Sequence, residues 1–175
     1  MTLIPNLFFV KYLFISLFCF ALDLYTKYLI KIKFSENIGS GFYVTSDGQY
    51  ELSVINPFLM IKRISNKGIA WGIDGSGTYA HILTPITIAL TVLIIIALYR
   101  SSKLKSFILC FPFSLILGGA IGNLYDRIVY GEVVDFIALF QNIFPFIFNL
   151  ADTFITIGMI FLIFAPVDSL YSMKK

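Results

Sequence analysis

Three aspartates in the C-terminal half of this 175-residue chain lie where apolar segments end or begin. Asp126 closes the run Gly119-Ala120-Ile121-Gly122-Asn123-Leu124-Tyr125-Asp126-Arg127. Asp135 follows in Val133-Val134-Asp135-Phe136, and Asp152 opens the next apolar stretch in Phe148-Asn149-Leu150-Ala151-Asp152. A fourth, Asp23, stands inside the first apolar stretch, four residues before Lys27. An ionisable side chain within a hydrocarbon span costs about 2.5–3.5 kcal/mol on insertion, so each marks a candidate functional site. Two carboxylates within a few Å of each other cannot both ionise easily and come to share one proton. The ionised member can take a proton from water as the water attacks a peptide carbonyl. The protonated member can then supply the oxyanion or the leaving nitrogen.

That chemistry needs neither metal nor serine. The single histidine, His81, has no cysteine or carboxylate at ligand spacing, so neither a metal nor another cofactor is expected. The Ser and Thr residues lack a His or Lys partner in a recognisable nucleophile elbow.

The elements that must position these residues are membrane spans. Hydrophobic residues make up 58% of the chain and charged residues only 13%, about half the charged share of a soluble domain. The net charge of +3 is spread over flanking positions, so nucleic acid is not an expected partner. Four apolar stretches, 7–30, 82–99, 107–124 and 146–164, are long enough for the ~20 helical residues that cross a bilayer. The first has no small-residue cleavage site after its core and contains Asp23 and Lys27, which predicts a retained helix rather than a leader. Arg100, Lys103 and Lys105 link the second and third spans, and Lys174-Lys175 end the chain. Both regions are therefore expected in the cytoplasm, with the N-terminus, while 31–79 and 125–145 face outward. Lys62, Arg63 and Lys67 in the first outer segment run against this, but long loops weigh less in setting topology.

A single polytopic domain over 1–175 is expected, with no repeats and no disulfide, since Cys19 and Cys110 both fall within apolar spans. Phe42-Tyr43-Val44-Thr45 and Tyr50-Glu51-Leu52-Ser53-Val54 flank Asp47-Gly48, a hairpin signal that predicts a small extracytoplasmic sheet on the membrane surface. The predicted fold class is thus an all-α membrane protein with four transmembrane helices and a small β-hairpin or cradle outside.

With alternating spans, Asp23, Asn123, Asp126, Asn149 and Asp152 all fall towards the outer leaflet. Asn123 and Asp126 are three residues apart, as are Asn149 and Asp152, so each pair shares a helix face. Asp23 and Lys27, at i and i+4, can pair. The plainer account of that pair is a buried ion pair holding helices in register; for Asp126, next to Arg127, it is a salt bridge or helix-end cap. Asp152 has no basic residue near it in its span, which weakens any plain account. A proton-coupled carrier would also keep carboxylates in its spans, but four short spans without broken-helix repeats argue against it. Spacing leaves open whether Asp126 or Asp135 partners Asp152. The Arg127 neighbour would hold Asp126 ionised, whereas an apolar setting would keep a proton on Asp135.

Five motifs in order resemble the lipoprotein signal peptidases, the signal peptidase II family. They are Asp23-Leu24-Tyr25-Thr26-Lys27, Asn66-Lys67-Gly68-Ile69-Ala70-Trp71-Gly72, Gly118-Gly119-Ala120-Ile121-Gly122-Asn123-Leu124-Tyr125-Asp126-Arg127, Val133-Val134-Asp135-Phe136-Ile137 and Phe148-Asn149-Leu150-Ala151-Asp152. The resemblance covers nearly the whole chain, and Ile69 departs from it where many members carry a smaller residue. It implies an aspartyl endopeptidase of the bacterial inner membrane that cuts prolipoproteins before a cysteine carrying a diacylglyceryl group. It implies Asp135 and Asp152 as the catalytic pair, with Asn66, Gly68, Asn123, Asp126, Arg127 and Asn149 supporting the site or binding substrate and Asp23 and Lys27 bracing the first helix. The partners expected are lipid-modified prolipoproteins and membrane lipids. A non-enzymatic lipoprotein assembly factor would bind the same substrate but tolerate Asp152→Asn.

Overall fold

The computed structural model describes residues 6–34, 43–44, 50–55, 58–68, 80–140, 143–144 and 146–166. It is mostly helical, with three to four apolar helices and a small antiparallel sheet. Helix α1 (Leu7–Lys33) starts at Asn6, whose side chain accepts from the N–H groups of Phe8 and Phe9. Its 27 residues span about 40 Å at 1.5 Å per residue, more than a hydrocarbon core of about 30 Å. Helices α2 (Ala80–Lys103) and α3 (Phe107–Tyr130) have 24 residues each and are joined by a tight turn through Lys105, at φ 52°. These three are long and apolar enough to cross a membrane. Helix α4 (Leu150–Ile163) has 14 residues, about 21 Å, and is shorter than a full crossing.

Helix α3 is the axis of the bundle and packs against α1, α2 and α4. It can do so because small residues line its contacts. A β-carbon at Gly119 would collide with the backbone carbonyl of Ala151 in α4, so α4 lies directly on the α3 backbone there. Gly119→Val is therefore expected to push α4 away and to destabilise the fold by about 1–3 kcal/mol or more. Thermal unfolding in detergent checks this as a lowered Tm. On α2, Ile88, Val92, Leu93, Ile95 and Ile96 are exposed, an apolar face turned away from the bundle among the described residues. Such a surface suits acyl chains rather than water.

Strands β1 (Tyr43–Val44), β2 (Tyr50–Ile55), β3 (Leu59–Asn66), β4 (Val133–Leu139) and β5 (Ile147–Phe148) form one antiparallel sheet in sequence order. The expected hairpin strands pair as Tyr43↔Glu51 and Val44↔Tyr50; its Asp47-Gly48 turn lies outside the described residues. The sheet is larger than the sequence suggested. Strand β3 joins the segment between α1 and α2 to the segment between α3 and α4, pairing Asn66↔Val133 at one end and Leu59↔Leu139 at the other.

Two span boundaries also differ from expectation. Helix α3 does not stop at Leu124 but continues to Tyr130, where Gly131 at φ 73° takes the left-handed position that ends it. The fourth apolar stretch does not begin as helix at residue 146: Ile147–Phe148 is strand, Asn149 is the cap, and helix begins at Leu150.

Candidate active site

Asn149 and Asp152 build the α4 N-terminus as a reciprocal capping box. The Asp152 N–H donates to Asn149 Oδ1 at 2.9 Å, and the Asn149 N–H donates to Asp152 Oδ2 at 3.3 Å. With its oxygen taken by a backbone N–H, the Asn149 amide must turn its Nδ2 outward. That nitrogen donates to Asp135 Oδ1 at 2.7 Å. One residue thus hydrogen-bonds both Asp135 and Asp152 and brings them to one place.

The same logic fixes the other amides. Asn66 Oδ1 accepts from the Gly68 N–H at 2.9 Å, so its Nδ2 faces Asp135 Oδ2 at 2.8 Å. Asn123 Oδ1 accepts from Lys27 Nζ at 3.1 Å, so its Nδ2 faces Asp152 Oδ1 at 2.8 Å. All four oxygens of Asp135 and Asp152 therefore accept a hydrogen bond from a donor held in a fixed orientation. Asp135 lies on β4 and is 3% exposed. Burial, followed by the nearby Asp152 charge, pushes its pKa up to about 7, against the opposing pull of the Asn66 and Asn149 hydrogen bonds.

A second polar layer sits behind the first. Lys27 Nζ lies 2.7 Å from Asp23 Oδ2 and 3.0 Å from Asp126 Oδ2, all three groups being buried. The i, i+4 pair inferred from sequence is present. Asp126, however, pairs with Lys27 rather than with its neighbour Arg127, and it also lies 3.8 Å from Lys31 Nζ. Arg127 turns instead towards the carbonyls of Asn123 and Gly68, at 3.5 and 3.4 Å. Asp23 Oδ1 accepts from the Ala151 N–H at 2.9 Å, and Asp126 Oδ2 accepts from the Val134 N–H at 3.4 Å.

Two cavities meet at Asp152. One, of about 430 Å³, lies between α2, α3 and α4; its wall includes Leu90, Ile94 and Met159, and its polar end Asn123, Arg127 and Asp152. The other, of about 300 Å³, lies between α4 and the β4–β5 region and is lined by Leu139, Phe144, Phe148 and Asp152. Thr156 lines both, one turn after Asp152, and sequence reasoning passed over it. Its i+4 spacing from Asp152 was the available signal. Ile69, Ala70, Trp71 and Gly72 of the second motif lie outside the described residues.

Every candidate residue named from sequence, namely Asp23, Lys27, Asn66, Gly68, Asn123, Asp126, Arg127, Asp135, Asn149 and Asp152, falls in this one connected network. A buried Asp135 and a half-buried Asp152, ringed by locked amide donors beside apolar cavities, define a class of site suited to acid–base chemistry at a membrane. The comparisons with known proteins narrow that class. The family model for signal peptidase (SPase) II matches residues 15–167. The lipoprotein signal peptidase of Pelagibacter ubique (strain HTCC1062) is 43% identical over 140 residues, covering 76% of this chain and 80% of that protein. That of Yersinia pseudotuberculosis serotype O:1b (strain IP 31758) is 39% identical over 118 residues, covering 66% and 69%. A bacterial membrane enzyme solved by the in meso method at 2.3 Å resolution superposes with a TM-score of 0.68 at 32% identity, covering 91% and 89% of the two chains. The chain belongs to the signal peptidase II family.

Proposed function

We propose that Asp135 and Asp152 act as a water-activating pair that cleaves signal peptides from diacylglyceryl-modified prolipoproteins before the lipidated cysteine. Removal of signal peptides from lipoprotein precursors follows from the family to which the chain belongs. The pairing rests on one observation: Asn149 hydrogen-bonds both carboxylates, while Asp135 is pushed up to about 7 and can hold a proton at neutral pH. Asp152, which opens onto both cavities, takes the proton from water. The resulting hydroxyl oxygen adds to the scissile carbonyl. Asp135, more deeply buried, donates its proton to the developing oxyanion; as the C–N bond breaks, the proton collected from water passes from Asp152 to the leaving nitrogen, and Asp135 takes back a hydroxyl proton as the carbonyl re-forms. This is aspartic peptidase chemistry.

The reading extends to placement. Residues 146–164 form a fourth span with α4 as its helical part, in a single domain over 1–175. The protein sits in the bacterial inner membrane with both termini in the cytoplasm. The dyad then lies near the outer face, where the sheet rests. The acyl chains of the substrate stay between helices while the peptide passes the two aspartates, and anchoring both partners in one bilayer raises their effective concentration.

A gel-shift cleavage assay tests this. The purified protein is expected to cut a diacylglyceryl-modified prolipoprotein in detergent and in lipid, and to leave the unlipidated precursor largely intact. Failure to cut the lipidated substrate in either medium would remove the reading.

A further inference from the structure

The Lys27 ammonium has three N–H groups and three acceptors within reach: Asp23 Oδ2 at 2.7 Å, Asp126 Oδ2 at 3.0 Å and Asn123 Oδ1 at 3.1 Å. Each acceptor has a second contact, and each of those leads to one of the paired carboxylates. Asp23 holds the N–H of Ala151, the residue before Asp152. Asp126 holds the N–H of Val134, the residue before Asp135. Asn123 donates directly to Asp152 and accepts from Asn149, which donates to Asp135. Lys27 itself is 1% exposed and belongs to α1, an element that carries neither member of the pair.

We propose that Lys27 is a positioning residue that sets the spacing and alignment of the two carboxylates. It does so by tying the backbone before Asp152 to the backbone before Asp135 through Asp23 and Asp126. The proposal rests on the peptidase reading above. The Asp23 contact lies within α1, and those to Asp126 and Asn123 run to α3; what goes beyond docking α1 on α3 is that all three partners continue to the backbone or side chains of the pair. Two strands of the network converge on one ammonium, so its loss leaves Asn149 as the remaining side chain that hydrogen-bonds both carboxylates, and their spacing loosens. A misplacement of about 1 Å between reacting groups costs roughly 100-fold in rate.

The ammonium also acts electrostatically. The charged groups that face it or the pair among the described residues are Asp23, Lys27 and Lys31 from α1, Asp126 and Arg127 from α3, Asp135 from β4 and Asp152 from α4. Of the three cations, only Lys27 lies in contact with the network on the buried side; Lys31 is a quarter exposed at 3.8 Å from Asp126, and Arg127 lines the cavity. Replacing Lys27 with an isosteric neutral side chain removes the central positive charge and leaves the ring of acids.

The experiment uses the full-length protein in detergent with Lys27→Met and the pair Lys27→Met/Asp126→Asn. Turnover of lipidated prolipoprotein, its pH profile, and affinity for the same substrate N-methylated at the scissile amide are measured together. Lys27→Met is expected to lower kcat roughly 100-fold while affinity for the uncleavable substrate changes less than about threefold. The acidic limb of its pH profile should move to higher pH, because the cation favouring the ionised acid is gone. Adding Asp126→Asn should cost little more, since both changes cut the same tie. A Lys27→Met enzyme that keeps kcat within a few-fold overturns the proposal. So does one that loses turnover and binding together with its pH limbs in place, the mark of a simple brace. A wild type that binds but does not cut the lipidated substrate would overturn the peptidase reading and this proposal with it.

Discussion

The folded protein is expected to lose stability as pH rises from about 4 to about 7, and Asp135→Asn should remove the part of that loss that Asp135 contributes. Asp135 ionises near 3.8 when unfolded and at about 7 when folded, because burial and the Asp152 charge disfavour its anion. Between those values the folded state holds a proton that the unfolded state has released, so each pH unit costs about 1.4 kcal/mol of stability. The whole interval amounts to about 4 kcal/mol, with no further change from this group above pH 7. Below pH 4 both states are protonated and the penalty is absent. Asn cannot ionise, so the variant lacks this slope. Its own cost is a separate, pH-independent one. Both Asn66 and Asn149 aim N–H groups at position 135, and an introduced NH₂ meets one of them as donor against donor, at about 1–3 kcal/mol. The difference in slope between wild type and variant, followed by thermal unfolding in detergent at several pH values, isolates the titration from that conflict. Equal slopes would mean that Asp135 carries no raised pKa.

The larger effect is on turnover. Asp135→Asn and Asp152→Asn should each lower cleavage of lipidated prolipoprotein by about 10³-fold or more, since acid–base groups of this kind contribute 10²–10⁴-fold. The two losses should not add. Once either proton carrier is gone, the other has no partner, as expected of residues that act as a unit. Binding of an uncleavable substrate should persist in both variants, because neither removes the apolar walls of the cavities. A double variant no slower than either single one would bear this out in a single-turnover assay. Multiplicative losses would indicate two independent roles.

How far the sequence carried these conclusions depends on the element. Helices α1, α2 and α3 were legible because length and hydropathy decide them, and they cover 7–30, 82–99 and 107–124 with a few residues to spare. The Asp23–Lys27 pair was legible because i, i+4 spacing on a helix leaves little choice. Strand β4 was not. Val133–Leu139 is buried on both faces, so it lacks the alternation that marks a half-exposed strand and shows only a short apolar run. Strand β3 was masked differently, by a register shift between Ile61 and Ile64 that breaks its period. The start of α4 was legible in retrospect: Asn149 and Asp152, three apart before an apolar run, are a capping-box signature, and they place the helix start at Leu150. Spacing could not rank Asp126 against Asp135, because the distinction lies in which backbone each faces. Asp126 turns back to Lys27 and the Val134 N–H, whereas Asp135 shares Asn149 with Asp152.

Which of the two aspartates partners Asp152 decides how the site works. Single-turnover cleavage of a diacylglyceryl-modified prolipoprotein by Asp126→Asn and Asp135→Asn, side by side and with folding checked for both, tests it most directly. Asp126→Asn should be slowed yet still cut to completion, and Asp135→Asn should leave the substrate intact. If Asp135→Asn cuts and Asp126→Asn does not, the pair is Asp126 with Asp152, and the roles assigned here to β4 and Asn149 are wrong.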